Sequence, residues 1–200
     1  MKKVLLLTSS LFGDNGNSSQ LAAAFKAEVA DKNISLTEKD LVALNLPHLD
    51  AAELVSWMTP AEQRSEEQAA LAQRSDLLIE ELLAHDVVVL AVPLYNLGIP
   101  SQVKAYFDRL ERAGVTFKYT EQGPKGLVEG KKAVVLAARG GVYAGTDWDS
   151  QTPHLASLFG LMGISDQRFI YAEGLNMGEE KKAEAIGSAK AEIAELVAAL

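Results

Sequence analysis

The chain has 200 residues, 48% of them hydrophobic, which suits one domain with a substantial core rather than several domains. Its 19 basic and 27 acidic residues give a net charge of −8, which argues against attraction to nucleic acid or to an anionic membrane. The absence of cysteine excludes disulfides, thiolate nucleophiles and Cys-ligated metals. No apolar run approaches the ~20 residues that span a bilayer, and the apolar run at the N-terminus is too short for a signal peptide. We therefore predict a cytoplasmic protein in which residues 1–200 form a single domain.

Five short apolar runs along the chain predict buried β-strands. They are Val4 to Leu7, Ile34 to Thr37, Val87 to Val92, Ala133 to Ala137 and Phe169 to Tyr171. Helical patterns follow these runs: one begins near Ser18, one spans about Ala61 to Ala84, one begins after Pro100, one follows Thr152-Pro153 with Thr152 as the N-cap, and one closes the chain. Strands that alternate with helices form right-handed crossovers and a parallel sheet. The sequence therefore predicts an α/β fold with a doubly wound, five-stranded parallel sheet of order 2-1-3-4-5 and helices on both faces.

Two connections between these elements are long, residues 43–60 and 114–130. Both carry apolar side chains, among them Trp57, Met58 and Phe117, which one small domain would have difficulty covering. Long connections in compact domains often have a functional or interfacial role. We therefore expect a second copy of the chain to cover them in a homodimer.

The turn after the first strand is rich in serine, glycine and asparagine, in the stretch "TSSLFGDNGNSSQL". Its hydroxyls and backbone N–H groups lie at a helix N-terminus, where the helix dipole favours an anion such as a phosphate. A plain capping role for Ser18 or Ser19 is the alternative. The stretch has neither the G-x-G-x-x-G dinucleotide fingerprint nor the G-x-x-x-x-G-K-[ST] phosphate loop, so a monophosphate is the ligand that it would suit.

Two further turns follow the third and fourth strands. The third strand ends in "PLYNLG", residues 93–98, and the fourth in "ARGG", residues 138–141. Ligands of open α/β sheets bind outside the carboxyl ends of the strands, so with the predicted strand order the three turns converge on one crevice. Adjacent Gly140 and Gly141 let the backbone approach a ligand closely, although Gly-Gly also occurs in turns that bind nothing. Arg139 is either a ligand contact or part of a surface salt bridge.

Over essentially residues 1–200, the sequence resembles the FMN-dependent NADH azoreductases, which are also quinone reductases and have a flavodoxin-like fold. The resemblance is carried by "VLLLTSS" followed by "NSSQL", by "HDVVVLAVPLYNLGIPSQVKAYFDRLERAGVTFKYTEQGPKGLVEGKKAVVL", by "RGG" and by "AEG" at residues 172–174. It implies a flavodoxin-like FMN-binding domain, an NADH or NADPH electron donor, a quinone or azo substrate, and a homodimer with its active sites at the subunit interface. It also implies a ping-pong mechanism, in which donor and acceptor use one site in turn.

The resemblance assigns roles to residues of this chain. Ser10, Gly16, Asn17 and Ser18 would hold the phosphate and ribityl end of FMN; Leu94, Tyr95, Asn96 and Leu97 would contact the isoalloxazine ring; Arg139, Gly140 and Gly141 would border the polar edge of that ring; and Tyr119, Leu161 and Tyr171 would contact the substrate. For the three substrate positions, ordinary packing is the alternative. Many family members have serine at the position of Gly16, so here that contact must come from the backbone N–H or be absent.

The function implied by the resemblance needs no catalytic side chain and no metal, because the flavin carries the chemistry. The alternative is a flavodoxin-like electron carrier that passes electrons between protein partners. A carrier would expose a flavin edge ringed by carboxylates, whereas Trp57, Phe117 and Tyr119 suggest a walled substrate pocket. No clamp for a 2′-phosphate is recognisable, so the sequence leaves both NADH and NADPH open as donors.

Overall fold

The computed structural model describes residues 1–200 and has a five-stranded parallel sheet at its centre. The strands are β1 (Lys2–Thr8), β2 (Ile34–Asp40), β3 (Val87–Pro93), β4 (Phe117–Thr120), β5 (Gly123–Gly126), β6 (Lys132–Ala138) and β7 (Asp166–Ala172). The sheet order is β2-β1-β3-β6-β7, and each of its pairings is parallel. Among the five sheet strands this is the order 2-1-3-4-5, so the predicted fold is confirmed. The remaining strands, β4 and β5, form a separate antiparallel hairpin.

Helices cover both faces of the sheet and produce two apolar layers of 22 and 19 buried residues. The helices are α1 (Asn17–Val29), α2 (Leu41–Leu44), α3 (Ala51–Met58), α4 (Glu66–Leu83), α5 (Ser101–Leu110), α6 (Gln151–Met162) and α7 (Glu179–Ala198). The layer with 19 residues packs the sheet against α1 and α7, and the other layer packs it against α2, α4, α5 and α6. Because β3 is covered on both sides, all seven of its residues are buried, which explains its continuous apolar sequence. No helix combines the length and apolar character needed to cross a bilayer.

Two helix starts differ from the prediction, and the capping alternative for Ser18 is excluded. The helix predicted over residues 61–84 begins only at Glu66, because Ser65 and Gln68 form a reciprocal capping box that fixes its first turn. Helix α6 begins at Gln151 rather than after Thr152, whose backbone N–H donates to Asp149 Oδ1 at 3.0 Å. Helix α1 begins at Asn17, so Ser18 lies inside the helix and is not its N-cap.

Each of the two long connections contains regular secondary structure. Residues 43–60 contain α3, capped by Asp50, and the inner side of α3 carries Glu53. Glu53 is 1% exposed and forms a bidentate ion pair with the fully buried Arg109 of α5, at 2.7 Å from Nε and 2.5 Å from Nη2. Residues 114–130 contain the hairpin β4–β5, which lies so close to the end of α6 that a Cβ on Gly126 would be 2.2 Å from the Gly163 nitrogen.

The outer strands β2 and β7 carry charged side chains that are held by neighbouring elements. On β2, Glu38 pairs with Lys26 at 2.7 Å and Lys39 pairs with Glu81 at 2.8 Å. On β7, Arg168 lies 3.4 Å from Glu192 of α7. Both edges of the sheet are therefore polar and partly exposed.

Candidate active site

The turns after β1, β3 and β6 meet at the carboxyl edge of the sheet and line one crevice, as the strand order requires. Its inner part is a cavity of about 220 Å³. The residues around this part are Ser10, Phe12, Gly16, Asn17, Ser18, Pro93, Leu94, Tyr95, Ala138, Arg139, Gly140, Leu175 and Asn176. An outer part of about 450 Å³ shares Leu94, Gly140 and Asn176 with the inner one and adds Asn96, Leu97, Gly141, Tyr143 and Met177. Except for the three candidate substrate residues, every predicted site residue thus lies on this crevice.

The first turn presents unpartnered donors at the N-terminus of α1. The backbone N–H groups of Asn17, Ser18 and Ser19 make no hydrogen bond within the protein, since the first bond of the helix is Gln20 N–H to Gly16 C=O. The Ser18 hydroxyl is buried and also has no partner. A buried polar group normally has a partner, so these donors indicate a site for an acceptor from outside the chain. The helix dipole adds a preference for negative charge.

Gly16 fits this turn only because it has no side chain. A Cβ at this position would lie 2.0 Å from Ser10 Oγ and 2.8 Å from Ser10 Cβ. Ser10 Oγ in turn accepts a hydrogen bond from Phe12 N–H at 3.2 Å. Gly16 lacks the hydroxyl that many family members have at this position, and Ser10 occupies the space that a side chain there would need.

The second turn has an unusual backbone. Tyr95 and Gly98 exchange both of their backbone hydrogen bonds, at 3.0 and 2.9 Å, around Asn96 and Leu97, which have φ values of 49° and 59°. Positive φ at both central residues is the feature of a type I′ turn, and it is costly for leucine. The Tyr95 hydroxyl accepts from Leu11 N–H at 3.3 Å and so joins this turn to the first one.

The third turn directs three backbone N–H groups away from the loop after β7. The carbonyl oxygens of Arg139, Gly140 and Gly141 accept from the N–H groups of Leu175, Asn176 and Gly174 at 3.1, 3.0 and 2.8 Å. In a trans peptide unit the C=O and N–H bonds point in opposite directions. The N–H groups of residues 140–142 therefore point towards the β3 side, where the crevice lies, and none has a partner in the protein.

Arg139 lines the crevice, but its guanidinium is fully buried behind the third turn. Its donors bind Gln151 Oε1, Thr152 Oγ1 and Glu173 Oε1 at 3.1, 2.8 and 3.0 Å. The guanidinium also lies 4.7 Å from the ring centroid of Tyr171. Of the two roles considered for Arg139, a surface salt bridge is wrong, and the guanidinium is committed to protein groups rather than free for a ligand.

Asp149 completes the network around Arg139, with Oδ1 at 3.1 Å from Nη2. Burial pushes the pKa of Asp149 upwards, but hydrogen bonds from Thr152 and the charge of Arg139 outweigh burial and leave the pKa below its ordinary value. The carboxylate is thus held in its ionised form beside the arginine.

The candidate substrate residues do not line the crevice of a single chain. Tyr171 packs against Arg139, and its hydroxyl is 3.0 Å from Thr152 Oγ1. Leu161 is half-buried on α6, and Tyr119 is 76% exposed on the hairpin, with its ring edge-to-face against Phe117. For Tyr171 and Leu161 the surroundings are those of packing, and the substrate role of all three stays a prediction.

Sequence reasoning missed several residues that build the site. Asn176 lines both parts of the crevice, and a Cβ on Gly140 would lie 2.5 Å from its Nδ2. Gln151 is 1% exposed and bridges two turns, because its Nε2 donates to Pro93 C=O at 2.9 Å while its Oε1 accepts from Arg139. Glu173 belongs to the "AEG" stretch that carries the family resemblance, but nothing local to that stretch indicates its partners, which lie at residues 139, 143 and 144.

The sheet order and the crevice at its carboxyl edge define a flavodoxin-like α/β protein. A family model described as "Flavodoxin-like fold" matches residues 2–197. A protein of Alteromonas mediterranea named "FMN-dependent NADH:quinone oxidoreductase" is 54% identical over 98% of this chain and 98% of its own length. A protein of the same name from Cellvibrio japonicus is 51% identical over the full length of both. The chain belongs to this family of FMN-dependent NADH:quinone oxidoreductases.

Solved structures agree with this assignment. The crystal structure of an azoreductase from Bacillus anthracis str. Sterne superposes with a TM-score of 0.91 at 32% identity and covers all of both chains. An FMN-dependent NADH-azoreductase from Bacillus anthracis str. Ames Ancestor, solved in complex with FMN, gives a TM-score of 0.88 at 25% identity and covers 99% of this chain and 98% of its own.

Proposed function

We propose that residues 1–200 act as one FMN-binding domain of an NAD(P)H oxidoreductase that reduces quinones and azo compounds. One observation carries the proposal: unpartnered donors line the crevice, with the Ser18 hydroxyl and the N–H groups of residues 17–19 on the first turn and those of residues 140–142 on the third. Relatives that align over almost the whole chain carry the matching name. We place the protein in the cytoplasm, where nicotinamide donors are available.

The residues of the crevice suit the parts of FMN that each would contact. The N-terminus of α1 and the Ser18 hydroxyl would hold the phosphate, which suits their free donors and the helix dipole. Leu94 and the Tyr95–Gly98 turn would contact one part of the flavin ring, and the N–H groups of residues 140–142 would donate to its polar edge. When bound, FMN supplies two-electron chemistry between a nicotinamide and a quinone or azo acceptor. The side chains bind and orient, and donor and acceptor would use the open outer part of the crevice in turn.

Purified protein tests this proposal directly. We expect it to bind about one FMN per chain, to bind FAD more weakly, and to oxidise NADH or NADPH in the presence of a benzoquinone without any added protein. Initial rates with varied donor and acceptor should give the parallel lines of a ping-pong mechanism. Failure to bind flavin would overturn the proposal. Quinone reduction that requires a second protein would instead favour the electron carrier.

We also propose a homodimer. Exposed apolar side chains lie on α3, on the hairpin connection and around the crevice: Leu11, Phe12, Leu54, Val55, Met58, Val115, Tyr119, Val142, Trp148 and Met177. Such a set is unusual for a monomer and is suited to a second copy of the same surface. In that arrangement the exposed hairpin would carry Tyr119 towards the crevice of the partner. Met58→Glu, at a residue 83% exposed, should then shift the mass measured by light scattering towards the monomer, and Leu83→Glu, an exposed control on α4, should not.

A further inference from the structure

Glu173 is the acceptor that fixes the third turn. It follows β7 directly and is nearly buried, with 13% of its side chain exposed. Its Oε1 accepts three hydrogen bonds, from Tyr143 N–H at 2.9 Å, Ala144 N–H at 3.0 Å and Arg139 Nη1 at 3.0 Å. One carboxylate oxygen therefore binds both ends of the turn over residues 139–144.

This arrangement decides which N–H groups of the turn remain free. The N–H groups of residues 143 and 144 are taken by the carboxylate, while those of residues 140–142 have no partner. The carbonyl oxygens of residues 139–141 bind the segment that follows Glu173 in the chain, residues 174–176. The carboxylate and the adjoining backbone thus act together to direct three consecutive N–H groups to the crevice.

Arg139 holds the carboxylate in place. The guanidinium is fully buried and is held by Gln151, Thr152 and Asp149. The donor that binds Glu173 is therefore fixed in place. Charge-assisted hydrogen bonds of this kind are stronger than neutral ones and fix direction well. Glu173 and Arg139 therefore fix the position of the turn from the side opposite the crevice.

We infer that Glu173 is a positioning residue that sets the reduction potential of the bound flavin by aiming the N–H groups of residues 140–142 at it; this inference rests on the proposed function. Fixed backbone donors stabilise the more electron-rich form of a ligand more than its oxidised form. Glu173 acts through the turn, since its Oε1 binds Arg139 and the N–H groups of Tyr143 and Ala144. This role differs from anchoring the phosphate, for which the free donors of the first turn would serve.

The experiment compares Glu173→Ala, Glu173→Gln and the parent as holoproteins. In Glu173→Ala, reduced FMN should lose about tenfold more affinity than oxidised FMN, which lowers the two-electron midpoint potential by about 30 mV. Glu173→Gln keeps an acceptor oxygen for the turn, and its loss of negative charge acts in the opposite direction, so the potential should fall by less than in the alanine variant. Hydrogen exchange of the apoprotein should quicken over residues 139–145 in the alanine variant.

Asp86 provides a matched control at the opposite end of the sheet. Its carboxylate also accepts a backbone hydrogen bond, from Lys3 N–H at 2.8 Å. Asp86→Ala removes a contact of the same chemistry, and its melting temperature should fall while the flavin potential stays that of the parent. The control therefore separates an effect of lower stability on the flavin potential from an effect of misdirected N–H groups.

If Glu173 had a purely structural role, its substitution would lower stability without changing the flavin potential. If Glu173→Ala melts lower but its bound flavin keeps the parent potential, the inference is overturned. If the alanine variant does not fold, the potential of Glu173→Gln decides the question, and a parent value there overturns it equally. Failure of the parent itself to bind FMN would show that the proposed function is wrong, which is a distinct outcome.

Discussion

Gly16→Ala is the substitution for which the structure predicts the sharpest effect. The backbone at this position has φ −72° and ψ 147°, which alanine adopts freely, so the backbone alone would favour alanine by about 0.4–1 kcal/mol. The new Cβ, however, would lie 2.0 Å from Ser10 Oγ and 2.8 Å from Ser10 Cβ, whereas non-bonded carbon atoms prefer about 3.5–4.0 Å. Rotation of Ser10 can move the hydroxyl but not its Cβ, so the backbone of one residue must shift by about 1 Å.

Overpacking of this size costs about 1–3 kcal/mol, which exceeds the gain from the backbone. Because Ser10 and Gly16 both line the crevice, we expect about 1–2 kcal/mol of this cost to appear as lost FMN affinity, a weakening of about 5- to 30-fold. The dissociation constant follows from quenching of FMN fluorescence during titration, with the melting temperature of the apoprotein measured beside it.

The double variant Ser10→Gly/Gly16→Ala tests the stated cause. Ser10→Gly removes both atoms that collide with the new Cβ, so adding Gly16→Ala to this background should cost little further affinity. The coupling energy between the two substitutions should be about 0.5–3 kcal/mol. If Gly16→Ala loses the same affinity in both backgrounds, the clash with Ser10 is not the reason, and our account of this turn is wrong.

Three further substitutions address other features. Glu53→Ala leaves Arg109 buried without its partner and should lower the free energy of unfolding by about 3–5 kcal/mol in urea denaturation, while Glu192→Ala, at an exposed ion pair, should change it by less than about 1 kcal/mol. Asn96→Ala places alanine at φ 49° and should destabilise the turn by about 1 kcal/mol. It should also raise the dissociation constant of FMN. An unchanged melting temperature would show that the positive φ at this position carries no cost for alanine. Burial, assisted by Asp108, raises the pKa of Glu111 from 4.5 to about 7, so the folded state binds the proton more tightly than the unfolded state does. The free energy of unfolding should therefore fall as the pH rises from 4.5 to about 7. Glu111→Gln should remove this pH dependence from melting curves recorded across the interval.

Much of the sheet was predictable because its signal is local. Runs such as Val87 to Val92 are apolar without interruption, which only a strand covered on both faces requires, and the turns at the strand ends then fall on one edge. Helix α3 carried a local signal as well, since Asp50 stands three residues before Glu53 in the pattern of a capped helix start. Periodicity does not identify this helix, because its eight residues are too few to show a clear helical period.

The parts of the site that were not predictable depend on distant partners. The burial of Arg139 follows from Glu173, Gln151 and Thr152, which are 12 to 34 residues away in sequence. The positive φ at Leu97 has no signature in the residue itself, because leucine seldom adopts that conformation. Periodicity identifies elements, but it does not show which polar side chains meet once the elements have packed.

The charged side chains on the outer strands β2 and β7 affect the tendency of the protein to aggregate at high concentration. An open sheet edge offers unpaired N–H and C=O groups to any extended chain that approaches it. Here an approaching strand would have to place its own side chains beside the charged groups of Glu38 and Lys39 on one edge and of Arg168 on the other. Exposed pairs add only about 0–1 kcal/mol each to folding. Their larger consequence is to oppose the edge-to-edge pairing of sheets and the aggregates that it would start.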